Sequence, residues 1–235
     1  MDLYWIPLGA GGHSVRFNGR VFEAIEAAHQ HRQRCDIYHA VLVVEVDGAE
    51  HTIELAPSPN ADEASRGVVA TGAVGSRYAG RLRLFRYEVR CWRGGSIPDL
   101  AEAVGGPTRL TSSPLVARRL LGLIATVPRV VWGRDELRTG EMWNSNSMIA
   151  WLISAAGLST DHLQPPPRGR APGWYAGLEV ARRSRASGPA RELHDRSDER
   201  ADGGGDRHRN GAPDNHADGR SPPRRAAQVR TEVAE

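Results

Sequence analysis

Lysine is absent from the 235 residues, so all 31 Lys+Arg positions are arginine. That removes the Schiff-base lysine, the Ser/Lys dyad and the lysine of a phosphate-binding P-loop from the chemistry on offer. Cysteine occurs only at Cys35 and Cys91, without the spacing of a metal knuckle or redox pair. Two isolated cysteines are expected to be free thiols in a reducing compartment. No apolar run approaches the roughly 20 residues needed to cross a bilayer. Met1–Trp5 also lacks the basic region and apolar run of an export signal, so no membrane span is expected and the expected compartment is the cytoplasm.

Large apolar side chains become scarce after about residue 180, and a segment without them cannot build a core. The expected organisation is one α+β domain over residues 1–180, with a disordered Arg/Asp/Gly-rich tail over 181–235. A body of that size buries about 70 % of its unfolded surface, enough for a core without disulfides or a metal. Charge divides in the same way. From Arg182 onward there are 12 arginines against 10 acidic residues, leaving only +1 of the formal +3 to the body. A nearly neutral body lacks the clustered basic face of a DNA-binding domain, so a nucleic-acid partner is not expected of it. The tail's own arginines are a separate route to weak association with anions.

The body reads as strands first and helices later. Leu3–Leu8 is a short strand that runs into the glycine-rich loop Gly9–Gly12, and Arg20–Arg34 has the spacing of an amphipathic helix. Tyr38–Val46 is dense in valine and ends at Asp47-Gly48, a strong turn signal, before His51–Leu55 resumes extended character as the second strand of a hairpin. Gly67–Val74 and Arg81–Trp92 are expected strands, the second with a bulge or two-sided burial because Leu82 and Leu84 break its alternation. Ser96, Pro98 and Asp99 open a short helix to about Val104. Ser113 as N-cap and Pro114 at the first helical position open another over Leu115–Ala125. The last long helix starts at Asn144 or Ser145 and stops at Gly157, and Trp174–Val180 is the last piece expected to be ordered.

Chemistry is concentrated in two places. The run Trp143-Asn144-Ser145-Asn146-Ser147-Met148 puts a hydroxyl at the start of a helix whose next residues are apolar, and Ile37-Tyr38-His39-Ala40-Val41 puts an imidazole at the start of a strand. With the hairpin and Ile53-Glu54-Leu55-Ala56 that follow, these segments resemble the nucleophile helix and histidine strand of permuted papain-like folds. Those are the lecithin:retinol acyltransferase, NlpC-like and YiiX-like groups and the permuted deubiquitinase-type peptidases. The body is also similar to an uncharacterised actinobacterial family, which implies no activity. The papain-like resemblance implies an antiparallel sheet packed against helices, and a hydrolase or acyltransferase acting on an amide, ester or thioester. Ser145 would then be the nucleophile, His39 the general base, Glu54 or alternatively His51 the group orienting the ring, and Asn144 with the helix-start amides the oxyanion donors. No cofactor is implied, and the partner would be a small molecule, peptide or acyl substrate.

This chain departs from that pattern at one atom, because Ser145 stands where the resemblance expects cysteine. A thiol near pKa 8.5 is readily ionised by a neighbouring imidazolium and a helix start, whereas a hydroxyl must lose its proton to a base during attack. Two functions therefore remain open: a Ser/His hydrolase or acyltransferase, and a non-catalytic binding domain on the same plan. Each residue also has a plainer role, Asn144 and Ser145 as helix caps, His39 as a strand-end histidine held by a carbonyl, and Glu54 as an Arg-paired or solvated residue. Gly9–Ser14 lacks a phosphate loop's glycine spacing, and His29 and His31 face different ways on one helix. Asp135, Glu136, Glu141 and the tail histidines His194, His208 and His216 are given no role.

Overall fold

The computed structural model describes residues 1–8, 23, 27–28, 31–58, 67–95 and 98–201, without the side chains of 98 and 188–201. Strand β1 spans Asp2–Pro7. Strands β2 (Asp36–Val46) and β3 (Ala49–Pro57) are joined by Asp47-Gly48, whose φ angles of 54° and 70° are those of a two-residue type I′ turn. Strand β4 is Val68–Ala73, β5 is Arg86–Arg93, and the two-residue β6 is Thr108–Arg109. Helices α1 (Pro114–Leu123) and α2 (Ser145–Ala155) follow, then the short strand β7 (Gly169–Arg170) and helix α3 (Trp174–Ala201). The chain is thus mixed α+β, with an antiparallel sheet ordered β4-β5-β3-β2-β1-β6 and packed against helices. Strand β7 runs parallel to the first residues of β2.

Side-chain alternation gives the sheet two faces. On one face Leu3, Trp5, Tyr38, Ala40, Leu42, Val44, Ile53, Leu55, Tyr87 and Val89 form the main core with Ala117 and Leu120 of α1 and Met148, Ile149 and Leu152 of α2. On the other, Ile6 and Val41 pack with Leu100 and Ala103. Helix α2 is buried all the way from Ser145 to Ser154, as a helix enclosed on every side must be. Its polar first turn is therefore inside the molecule and has to find internal partners.

Several expectations are corrected. The strand expected over Arg81–Trp92 begins only at Arg86, because Ala79–Arg81 and Arg83–Phe85 form two 3-10 turns with no buried residue. Leu82 and Leu84 break the alternation because they have left the sheet. Ser96–Val104 is reduced to a 3-10 turn over Pro98–Glu102. Ser113 precedes α1 but makes no side-chain capping bond. Helix α3 continues beyond Val180 to Ala201, a run rich in Arg and Ala. Its exposed surface carries Glu179 paired with Arg182 and Arg183 at one-turn spacing, 2.7 Å in each case. Residues 202–235, the loop Gly9–Ser14, His29 and most of Arg20–Arg34 lie outside the described residues. Glu23, Ala27 and Ala28 in that last stretch are helical.

Candidate functional site

Helix α2 begins with a reciprocal cap. The Asn144 Oδ1 accepts from the amides of Asn146 (2.9 Å) and Ser147 (3.2 Å), while the Asn144 amide donates to Ser147 Oγ at 3.0 Å. The Ser147 hydroxyl lies 2.8 Å from the Gly173 carbonyl, to which it donates. The Asn144 Nδ2 donates to the Pro172 carbonyl at 2.8 Å. The Met148 amide makes the first helical bond, to Asn144 O at 3.1 Å. Of the five amides from Asn144 to Met148, four are occupied, and only that of Ser145 has no partner among the described residues.

Asn146 is the residue that sequence reasoning missed. Strand β1 pairs with β2 along Tyr38–Ala40 on one side, but β3 pairs with β2 only from Leu42 onward, so the edge of β2 away from β1 would be left without a neighbour there. The Asn146 carboxamide fills that edge. Its Oδ1 accepts from Ala40 N at 2.8 Å, and its Nδ2 donates to Tyr38 O at 3.0 Å and to Pro172 O at 2.9 Å. A single side chain thus imitates one residue of a strand and anchors the helix start to the main chain on either side of His39. The only sequence signal was an asparagine immediately inside a helix cap, where asparagine is a mediocre helix former.

His39 itself points elsewhere. Its neighbours Tyr38 and Ala40 enter the core beneath α2, and its cross-strand partner is Ile6, a residue of the opposite cluster. Alternation therefore sends the imidazole to the face of Ile6 and Val41, away from the helix. The ring is partly exposed and makes no hydrogen bond among the described residues. Desolvation pulls its pKa down from 6.5 to about 4, which keeps it neutral.

Glu54 shares that second face but is engaged by an arginine. Arg90 NH1 meets Glu54 Oε1 at 2.9 Å, and Arg90 Nε meets Glu88 Oε2 at 2.9 Å. Ser58 Oγ donates to Glu88 Oε1 at 2.7 Å. Burial pushes the Glu54 carboxyl up, with Arg90 opposing. Glu88 is fully buried at 0 % exposure, so this carboxylate–guanidinium–carboxylate group is interior structure and not a surface ion pair. His51 lies opposite Val44 on the main-core side, with its Nδ1 buried and without a hydrogen-bond partner among the described residues.

The structure therefore brings Ser145 and Asn144 together at the start of α2 and puts His39 and Glu54 on the other face of the sheet, where Glu54 pairs with Arg90 and no hydrogen bond joins it to His39. It makes no hydrogen bond between the two pairs. Ser145 is 8 % exposed, and its hydroxyl has no hydrogen bond among the described residues. A cavity of about 460 Å³ lies between the 75–78 and 131–136 segments, and neither Ser145 nor His39 lines it. The acids before α2 serve the backbone. Asp135 accepts from the amides of Thr139 (2.7 Å) and Gly140 (2.9 Å), and Glu141 accepts from Tyr175 N (3.1 Å) in the first turn of α3. Among the described residues no group of three or more His, Cys, Asp or Glu side chains is placed to hold a metal, and no helix is long and apolar enough to cross a membrane. No family model, curated protein or solved structure matches the chain.

Proposed function

We propose that this chain is a non-catalytic binding domain built on the permuted papain-like plan, with Ser145 a buried helix-start residue and not a nucleophile. The observation that carries this reading is the state of the donors at the start of α2. The cap between Asn144 and Ser147 takes up the amides that an oxyanion would need, and the Asn144 side chain is divided between that cap and Pro172. Rate enhancement in acyl transfer rests on unoccupied donors aimed at the developing charge, and one free amide is a poor oxyanion hole. A hydroxyl nucleophile also needs a base within hydrogen-bond reach, and the His39 ring is turned to the other face of the sheet.

The hydrolase or acyltransferase reading retains one supporting observation, the tie that Asn146 makes from α2 to the main chain around His39. A fluorophosphonate probe separates the two. The wild-type chain is expected to stay unlabelled under conditions that saturate a control serine hydrolase. Labelling of the wild type that disappears in Ser145→Ala would overturn the binding-domain reading and restore Ser145 as the nucleophile.

A further inference from the structure

Among the described residues the connection between β4 and β5 is the most apolar exposed part, and α2 has no share in it. Within ten residues it exposes Tyr78 (81 %), Leu82 (62 %), Leu84 (78 %) and Phe85 (41 %), half of the large apolar side chains exposed among the described residues. The same stretch, Arg77-Tyr78-Ala79-Gly80-Arg81-Leu82-Arg83-Leu84-Phe85-Arg86, carries four arginines, and no acidic residue occurs from 64 to 87. A monomer seldom presents clustered apolar side chains to water without a use for them.

This tip is folded. The Leu82 amide donates to Ala79 O at 2.9 Å and the Phe85 amide to Leu82 O at 3.0 Å, closing the two 3-10 turns in succession. Arg86 reaches back with Nε to Gly80 O at 2.6 Å, fixing the turns to the start of β5. Strand β4 is the outermost strand of the sheet, so its hairpin with β5 stands at an edge. The apolar side chains are therefore held outward before any partner arrives, which lowers the ordering cost of binding.

We propose that the 77–86 tip docks the protein on an anionic lipid surface, Leu82, Leu84 and Phe85 entering the headgroup–acyl boundary while Arg81 meets lipid phosphates and carboxylates. Charge selects this occupant. Arginines alternating with leucine and phenylalanine match an interface that is negative at headgroup depth and apolar just beneath it. A second copy of the chain is disfavoured because a symmetric contact would set two groups of arginines against each other. A nucleic acid would leave both leucines without a counterpart. Arg77 is not counted among the docking cations, because Glu136 holds it at 2.8 Å. Tyr78 beside it is suited to the polar boundary, where phenols concentrate.

The test uses the full chain, sedimented with phosphatidylcholine vesicles containing about 40 mol % phosphatidylserine and with phosphatidylcholine alone. The wild type is expected to partition onto the anionic vesicles and not onto the neutral ones. The double variant Leu82→Ser/Leu84→Ser is expected to lower the partition coefficient by at least about ten-fold, and Arg81→Gln by several-fold, with melting temperatures unchanged because neither turn buries a residue. Wild-type protein that stays in the supernatant overturns the proposal. So does a double variant that binds like the wild type, since the Arg-rich residues after 182 would then carry the association. Capture of an acidic protein that the double variant loses, with no vesicle binding, would give the surface to a protein and overturn it equally. None of these outcomes depends on whether Ser145 reacts.

Discussion

Asn146 shows how much one side chain does when it replaces a strand. Its carboxamide satisfies one amide and two carbonyls, two of those three groups belonging to β2. Truncation to alanine leaves the Ala40 amide and the Tyr38 carbonyl buried without partners, while the Pro172 carbonyl keeps the Asn144 Nδ2, and each unsatisfied group costs about 1–3 kcal/mol. Asn146→Ala is therefore expected to lower stability by about 3 kcal/mol or more, whereas Asn144→Ala, which removes a cap, costs about 1–2 kcal/mol. Urea unfolding of the two variants checks the order, and an equal or smaller loss for Asn146→Ala would refute the strand-mimic role. That a helix starts in Asn144-Ser145-Asn146-Ser147 was legible from the residues, because capping is local. The second asparagine's role was not, since its partners Ala40 and Tyr38 lie 106 and 108 residues away in the chain. The same limit applies to Glu54, whose pairing with Arg90 depends on the register of β3 against β5.

At the scale of elements, the packing of α2 against α3 depends on a glycine. A Cβ added to Gly177 would run into the Ser147 carbonyl and crowd Ala150, so the two helices approach at a distance that only glycine permits. Alanine is the better helix former by about 1 kcal/mol, so the sign of the effect is informative. Gly177→Ala is expected to destabilise by about 2 kcal/mol, a fall of several degrees in melting temperature, because the helices must separate. Gly122→Ala in α1, with nothing within 4 Å of the added methyl, is expected to be neutral or mildly stabilising. A Gly177→Ala variant that melts with or above the wild type would show that the contact is slack. Elements whose signals are periodic and local were readable: β2, its turn, β3, and α2 with Gly157 just beyond its end. The β4–β5 connection was not. Its alternating arginine and leucine has the period of a strand, and only the failure of Leu82 and Leu84 to share a face with Phe85 and Tyr87 hinted that the chain leaves the sheet there.

For the whole molecule, what matters is which face of the sheet receives which group. The two-layer α+β plan follows from strand and helix periods. Whether an imidazole and a hydroxyl meet depends on the side α2 occupies, and period alone does not set that. The placement of His39 on the second face, with Glu54, Glu88 and Arg90, makes folding depend on pH. In the folded chain its pKa is about 4, against 6.5 for the free side chain. Between those values the unfolded chain takes up a proton that the folded chain refuses, so stability falls as pH drops from about 6.5 to about 4. The full shift corresponds to roughly 3 kcal/mol, and partial exposure of the ring reduces the expected loss to about 2 kcal/mol. The carboxylates near and far act differently. Glu54 is raised by burial, so its contribution is present below its ordinary pKa and is lost as pH rises through the raised one. Glu23, held down to about 2 by Arg32, keeps its contribution until pH falls below about 4.5. His39→Gln removes the imidazole while leaving both carboxylates in place. Its stability, measured by urea unfolding across pH 4 to 7, is expected to fall less than that of the wild type, so that the two curves converge or cross toward pH 4. Parallel curves would mean that the ring titrates normally, in a site far more open to water than the second face of this sheet.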